Sequence, residues 1–322
     1  MEWLLMTIGI QPNAARIDEG KLTEIIANGG QARRAAIHRP VVPLGVQTFR
    51  QTIREDKTAL RDVLDPDSAR YRSQFGYKFK DQPVPYIIDG LSYGRFELER
   101  INRSTVPYDQ RQRDLVEYFM QAEDRIFFAG SSLTPAGGKT GLANAGTTVG
   151  TNYSVAAGSE LDLTTITKMT ETLAAMIGQQ LDHFQENVGN YSLLLAVSTD
   201  VDDWINGLYE AAPGVRMKPE ILKILAENGN GGAGIIRTPW LGATLDLGNG
   251  NLPIKKADGA VKAALMMWSE TNPLYEVVTT DFVIDSGTNE VGRFNADFTE
   301  GYLPMSYDPY SIIYSGTVDI TP

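Results

Sequence analysis

Between Leu115 and Ile126 the apolar positions are Leu115, Phe119, Ala122 and Ile126, spaced four, three and four apart, while Arg113, Glu117, Gln121 and Asp124 fill the opposite side. That rhythm is the period of an amphipathic helix. Ser104 or Thr105 can cap it and Pro107 suits its first turn, so the pattern predicts a helix over 105–126, roughly 30 Å long. A second stripe, Ile166, Met169, Leu173, Met176, Ile177, Leu181 and Phe184, predicts another long helix from Leu163 to Glu186. The run Tyr191 to Ser198 is apolar on both sides and of strand length, which fits a strand buried on both faces. Short helices are expected from a Thr199-Asp200 cap, with Asp200 as the capping residue, and from Pro219. From Gly229 onward the segments 234–238, 243–247, 263–269, 275–284 and 311–318 read as strands, separated by turns such as Gly248-Asn249-Gly250 and Asp308-Pro309.

The first hundred residues follow a different pattern. Residues 1–45 are polar, carry Pro12, Pro40 and Pro43, and show only a short helical pattern around 21–28, which reads as an extended arm. Thr48 to Leu64 can hold a short helix ended by Asp65-Pro66. Aromatic residues then stand at 71, 75, 77 and 79, near the two-residue period of a strand. After the break at Asp81-Gln82-Pro83, the residues from Tyr86 to Glu99 continue in extended fashion. Together 71–99 read as a long hairpin with too few large apolar residues to build its own core, so it needs a partner surface.

Composition narrows the chemistry. With 322 residues and 42% apolar content the chain can bury a large core, and no apolar run reaches membrane-spanning length. The opening Met1 to Ile10 is apolar but contains Glu2 and lacks a basic stretch, so it reads as a docking arm rather than a secretory signal. There is no cysteine, which excludes disulfides, thiolate metal sites and cysteine nucleophiles. The two histidines, His38 and His183, lie far apart and read as surface or internally satisfied groups, which argues against Ser-His-Asp chemistry and histidine-rich zinc sites. Residues 1–130 hold 19 Lys/Arg against 18 Asp/Glu, whereas 131–322 hold 10 against 22. Halves so different in charge favour head-to-tail attraction between copies. The net charge of −11 argues against tight gripping of nucleic acid.

One stretch imitates a phosphate loop. Phe127 to Gly141 leads from an apolar run into glycines and Gly138-Lys139-Thr140, but a Walker A loop needs a glycine where this chain has Leu133. Gly141 to Gly150 is also a poor helix start, so the stretch reads as a glycine-rich exit from the long helix, with Lys139 as a contact to an acidic neighbour. Glu123-Asp124 and Asp202-Asp203 are adjacent pairs that do not face each other on a helix, and Asp200 to Asp203 lack the spacing of a calcium loop. No cofactor or metal is expected.

Taken in order, the parts carry a resemblance. A proline-bearing arm, an extended hairpin, a long helix ending Ala122-Glu-Asp-Arg-Ile-Phe-Phe-Ala-Gly, a small-residue loop with Gly141-Leu-Ala-Asn, then helix, Tyr191-Ser-Leu-Leu-Leu-Ala-Val-Ser, helix and a β-rich end resemble the tailed-bacteriophage major capsid protein of the Hong Kong 97 fold. Encapsulin nanocompartment shells share that fold. The resemblance implies an α+β subunit divided as follows: an N-terminal arm over 1–45; the start of the peripheral P-domain and the extended E-loop (71–99) within 46–104; the spine helix and glycine-rich loop over 105–162; an axial A-domain over 163–265; and P-domain return strands over 266–322. In the family, the arm and E-loop reach over neighbouring subunits. Tyr71, Phe75, Tyr77, Phe79 and Tyr86 are therefore expected to make contacts between subunits.

Some family members cross-link an E-loop lysine to a neighbour's asparagine with a glutamate as base. Here Lys78 and Lys80 are the candidate lysines, Asn289 and Asn295 the asparagines, and Glu290 and Glu300 the bases, although most such shells form no cross-link. The resemblance further implies a structural protein rather than an enzyme. It would assemble with itself into pentamers and hexamers of an icosahedral head in the host cytoplasm and enclose double-stranded DNA without reading its sequence. Scaffold, portal and decoration proteins are the implied partners, with a separate scaffold favoured because no cleavable leader of ~100 residues is evident. The alternatives are an encapsulin-like compartment and, from another class, an α+β phosphate-binding enzyme.

Overall fold

A computed structural model describes residues 30–56, 75–94, 108–131, 139–140, 153–154, 160–184, 190–207, 216–229, 231–241, 244–245, 254–255, 262–268, 274–280, 283–288, 294–307 and 309–320. The chain begins with helix α1 (Gln31–Ala35) and strand β1 (His38–Val42), followed by β2 (Thr48–Asp56), β3 (Phe75–Pro83) and β4 (Tyr86–Tyr93). The long helix α2 (Tyr108–Phe128) comes next, then the short strands β5 (Gly130–Ser131), β6 (Lys139–Thr140), β7 (Tyr153–Ser154) and β8 (Leu161–Asp162). Helix α3 (Ile166–Phe184), β9 (Ser192–Val197), α4 (Thr199–Asn206) and α5 (Met217–Asn228) form the middle. The β-rich end comprises β10 (Gly232–Arg237), β11 (Thr244–Leu245), β12 (Ile254–Lys255), β13 (Ala263–Trp268), β14 (Tyr275–Thr280), β15 (Val283–Thr288), β16 (Phe294–Ser306), β17 (Ile312–Ser315) and β18 (Val318–Asp319).

Ten of these strands form two five-stranded sheets, and the other eight pair two by two. The first runs β1-β14-β16-β15, with β4 also paired to β16; the second runs β10-β9-β13-β17-β7. Alternation explains how the second sheet is buried. In β13, Ala263, Leu265 and Met267 join a core with Met169, Leu173, Met176 and Ile177 of α3 and Ile221 and Leu225 of α5. Ala264 and Met266 join a different core with Phe119, Phe127 and Phe128 of α2. Each strand residue thus reports to one of two hydrophobic layers, and burying a side chain of Leu or Met size stabilises by about 1.5–3 kcal/mol. The helix α2 closes the first sheet as well, where Phe119 meets Phe298 with ring centroids 6.4 Å apart.

Several expectations change. The segment 48–64 does not hold a helix at its start: Thr48–Asp56 is strand β2, and it pairs with β3 over nine residues from Thr48↔Pro83 to Asp56↔Phe75. The hairpin is therefore 48–56 with 75–83, not 71–99. The reason is burial. Ile87 and Tyr93 carry enough apolar surface to lie in the core, so β4 pairs with β16 in the first sheet. The segment Thr48–Asp56 is left to complete the hairpin, aided by Arg50 donating to Asp81 at 2.7 and 3.0 Å. The segment read as arm is anchored from Gly30 onward: Ala32 and Ala35 are fully buried, and β1 pairs in parallel with β14, His38 opposite Val277. The end of the chain is also divided, for β14 to β16 lie in the first sheet while β17 crosses to the second, Ile313 opposite Leu265.

Local details shift too. The residues 275–284 split into β14 and β15, and the expected α4 cap moves back to Ser198, whose hydroxyl accepts from Lys262 N–H at 3.1 Å. Helix α5 starts at Met217, which places Pro219 third rather than first. The phosphate-loop imitation resolves into a ladder, Gly130 opposite Thr140 and Ser131 opposite Lys139, entered through Gly130 at φ 106°. Lys139-Thr140 is strand, not the helix start that a phosphate loop requires.

Candidate assembly surface

The hairpin β2–β3 pairs with no other sheet among the described residues. Its register sets Phe75, Tyr77 and Phe79 opposite Asp56, Arg54 and Thr52, and Lys78 and Lys80 opposite Ile53 and Gln51. Phe79 is 67% exposed. Two strands alone bury too little to stand as an independent unit. The side chain of Tyr118, on the outward side of α2, and that of Ile88 on β4 are exposed to a similar extent, 64% and 68%.

The base of the hairpin is fixed to the body of its own subunit. Tyr86 is half-buried against Val42, Val84, Val278, Leu303 and Met305. Its hydroxyl donates to Val46 O and accepts from Gly45 N–H, each at 2.9 Å. Gly301 lies beneath it, and a Cβ there would stand 2.7 Å from Thr280 Cγ2, so the close approach requires glycine. The polar end of the Tyr86 ring thus holds the start of the hairpin to the first sheet.

A second fixture holds the N-terminal segment. Arg33 of α1 donates through Nε to Glu123 Oε2 at 2.8 Å and through Nη2 to Glu123 Oε1 at 2.5 Å, and its Nη2 lies 3.2 Å from Glu300 Oε1. Asp124 accepts from Ala32 N–H at 2.7 Å, capping α1 from the side. His38 lies between Ala36 O at 3.1 Å and the Tyr302 hydroxyl at 2.9 Å, and burial lowers its pKa to about 4, so it is neutral at pH 7. It is the satisfied histidine its isolation in sequence suggested. Burial, above all, raises Asp124 to about 6, against the pull of its backbone hydrogen bonds.

The candidate cross-linking residues are dispersed. Lys78 and Lys80 lie on β3 of the hairpin. Asn295 lies on β16, where its Oδ1 accepts from Ser92 Oγ at 2.7 Å. Glu300, also on β16, is buried and engaged with Arg33, so it is closed to a neighbouring lysine. Tyr71, Asn289 and Glu290 lie outside the described residues. Arg33, Glu123, Asp124 and Tyr302 were not foreseen as a group; the one sequence signal is Glu300, a charge set between Phe298 and Tyr302 at an inward position of an alternating strand. Among the described residues no cluster of three or more ligating side chains could hold a metal ion.

No protein-family model matches the sequence, and no curated protein matches it. The fold is matched widely. The capsid of the Myoviridae phage XM1 aligns with a TM-score of 0.59 at 11% identity, covering 88% of this chain and 89% of that one. The virus-like particle from Pyrococcus furiosus aligns at 0.53 and 13% identity, covering 92% and 99%. A protein of Gordonia phage Cozz aligns at 0.53 and 12%, covering 90% and 85%. The chain therefore has the α+β fold of the Hong Kong 97 type.

Proposed function

We propose that this chain is the major head protein of a tailed double-stranded DNA bacteriophage, a structural subunit that assembles with itself into pentamers and hexamers of an icosahedral shell. The observation that carries the reading is a hairpin that joins no other sheet among the described residues and leaves Phe79 exposed: a subunit that tiles a surface lays such a hairpin on a neighbour. Many modest contacts of this kind, repeated around a closed shell, act together. The acidic balance suits a wall that encloses packed DNA without adhering to it. Assembly in the host cytoplasm, with scaffold, portal and decoration proteins as partners, belongs to the same reading.

A second reading is an encapsulin-like compartment, favoured by the near-complete alignment with the Pyrococcus furiosus virus-like particle. Electron microscopy of the purified protein separates the two. Closed shells containing nucleic acid support the head protein, shells filled with protein support the compartment, and a monodisperse monomer overturns both. Denaturing gels of the same particles test Lys78 and Lys80. A ladder above the 35.3 kDa subunit would mark a covalent link to a neighbouring asparagine, and a single band is the expected result.

A further inference from the structure

The group around Arg33 contains more negative than positive charge. One cation faces three carboxyl groups, Glu123 and Asp124 of α2 and Glu300 of β16. The other groups around it are His38 of β1, neutral and bonded to Tyr302 of β16, and Tyr275 of β14, whose hydroxyl donates to Ala35 O at 2.8 Å. Strand β4 contributes Ile87 opposite Glu300, so no further charge enters from that side. Glu123 uses both oxygens on Arg33, and Asp124 is served by backbone N–H. Glu300 receives only the longer contact at 3.2 Å, from a guanidinium nitrogen already held by Glu123. Its other oxygen, Oε2, is buried with no donor in reach among the described residues.

An ionised Glu300 would leave two uncompensated negative charges in a buried cluster and one carboxylate oxygen without a hydrogen bond. Such a group takes up a proton instead of ionising. A protonated Glu300 becomes a donor on the side of Glu123, whose carboxylate meets the same Arg33 nitrogen, and the excess charge falls by one.

We infer that Glu300 carries a proton while residues 31–42 are clasped to the long helix, and that unclasping releases this proton, so the clasp loosens as pH rises through neutrality. In the open form Glu300 meets water and ionises as an ordinary glutamate. In the closed form burial first, then the charge of Glu123, holds its carboxyl above the usual range, against the pull of Arg33. A group raised in the closed form favours that form at low pH and loses the advantage as pH climbs toward its closed-form pKa.

The neighbouring groups do not confuse the window. Asp124, raised to about 6, acts in the same direction but only in more acid solution, and His38, lowered to about 4, acts in the opposite direction below its open-form value of 6.5. Burial holds Tyr275 and Tyr302 above their ordinary range, so both stay protonated. Between about pH 7 and 8.5, Glu300 is the member of the group that responds, and one proton released shifts the opening equilibrium about tenfold per pH unit.

Hydrogen exchange on the full-length chain tests this, following the amides of residues 31–42 at pH 7.0 and 8.5 with rates corrected for intrinsic exchange. The wild-type opening constant is expected to rise about thirtyfold, while Glu300→Gln, whose amide stays neutral, is expected to show no rise. Amides of α5 in the second core serve as the internal control. Equal pH dependence in wild type and variant overturns the inference. So does a flat wild-type response, which needs no variant and holds even if Glu300→Gln fails to fold. The measurement concerns a clasp within one subunit, so its outcome is independent of whether the chain forms shells.

Discussion

Arg33 and Glu123, ninety positions apart in sequence, meet in a two-point hydrogen-bonded ion pair in which the glutamate is fully buried and the arginine partly so. Fork-to-fork geometry of this kind fixes direction as well as charge, so the pair sets where the N-terminal segment crosses the long helix. Removing Glu123 takes away both charged hydrogen bonds of the fork, while Glu300 at 3.2 Å remains as a partner for Arg33. Glu123→Ala is expected to lower stability by about 1.5–3 kcal/mol, read as a fall in the denaturant midpoint with unchanged slope.

Gly301→Ala tests the seat of Tyr86. Its new methyl would press on Thr280 at 2.7 Å and on Val84 and Tyr86 at 3.2 and 3.3 Å, within the first sheet. A loss of about 1–3 kcal/mol is expected in urea unfolding, as for other overpacked sites.

Phe79→Ser tests the hairpin. Because the side chain is 67% exposed, subunit stability should change by no more than about 0.5 kcal/mol. Under the shell reading, sedimentation should show fewer or no closed particles. Particles formed as readily as by the wild type would remove Phe79 from the assembly surface.

His38 supplies a pH dependence of its own. Its pKa is lowered by burial first and by the neighbouring Arg33 second, so its contribution is fully present above about 6.5 and is lost as pH falls toward 4. The difference in unfolding free energy between wild type and His38→Asn should shrink over that range, by up to about 1.4 kcal/mol per pH unit. A difference that stays constant from pH 7 to 4.5 would show that the ring is not held neutral.

Much of this architecture is legible in the sequence, and the failures have physical causes. The helix through Leu115, Phe119 and Ile126 and the strand after Tyr191 are strongly periodic, and both stand where the pattern puts them. The longest strand, Phe294–Ser306, was missed because Asn295, Asp297, Gly301 and Pro304 all disfavour strands. Its alternation of Phe294, Ala296, Phe298 and Tyr302 is interrupted by Glu300, and only the partner Arg33, 267 positions away, makes that residue acceptable in the interior. The hairpin failed in another way. The strand rhythm of residues 75–79 was correct, but which flanking segment pairs with it depends on β4 being claimed by β16. The clasp residues were invisible as a group because they come from α1, β1, α2 and β16, and no local pattern joins them.

The parallel pairing of β1 with β14 closes the first sheet with residues from distant parts of the chain, His38 beside Val277. Closing such a loop costs entropy before any contact rewards it, so folding of this layer is slow compared with that of a helical bundle of equal stability. The same ordering of events favours retention once the closure is made. Native-state lifetime is then governed by the height of the unfolding barrier as well as by the depth of the well. The chain then completes its own topology as a separate, unhurried step, and endurance over time becomes a property of the single chain.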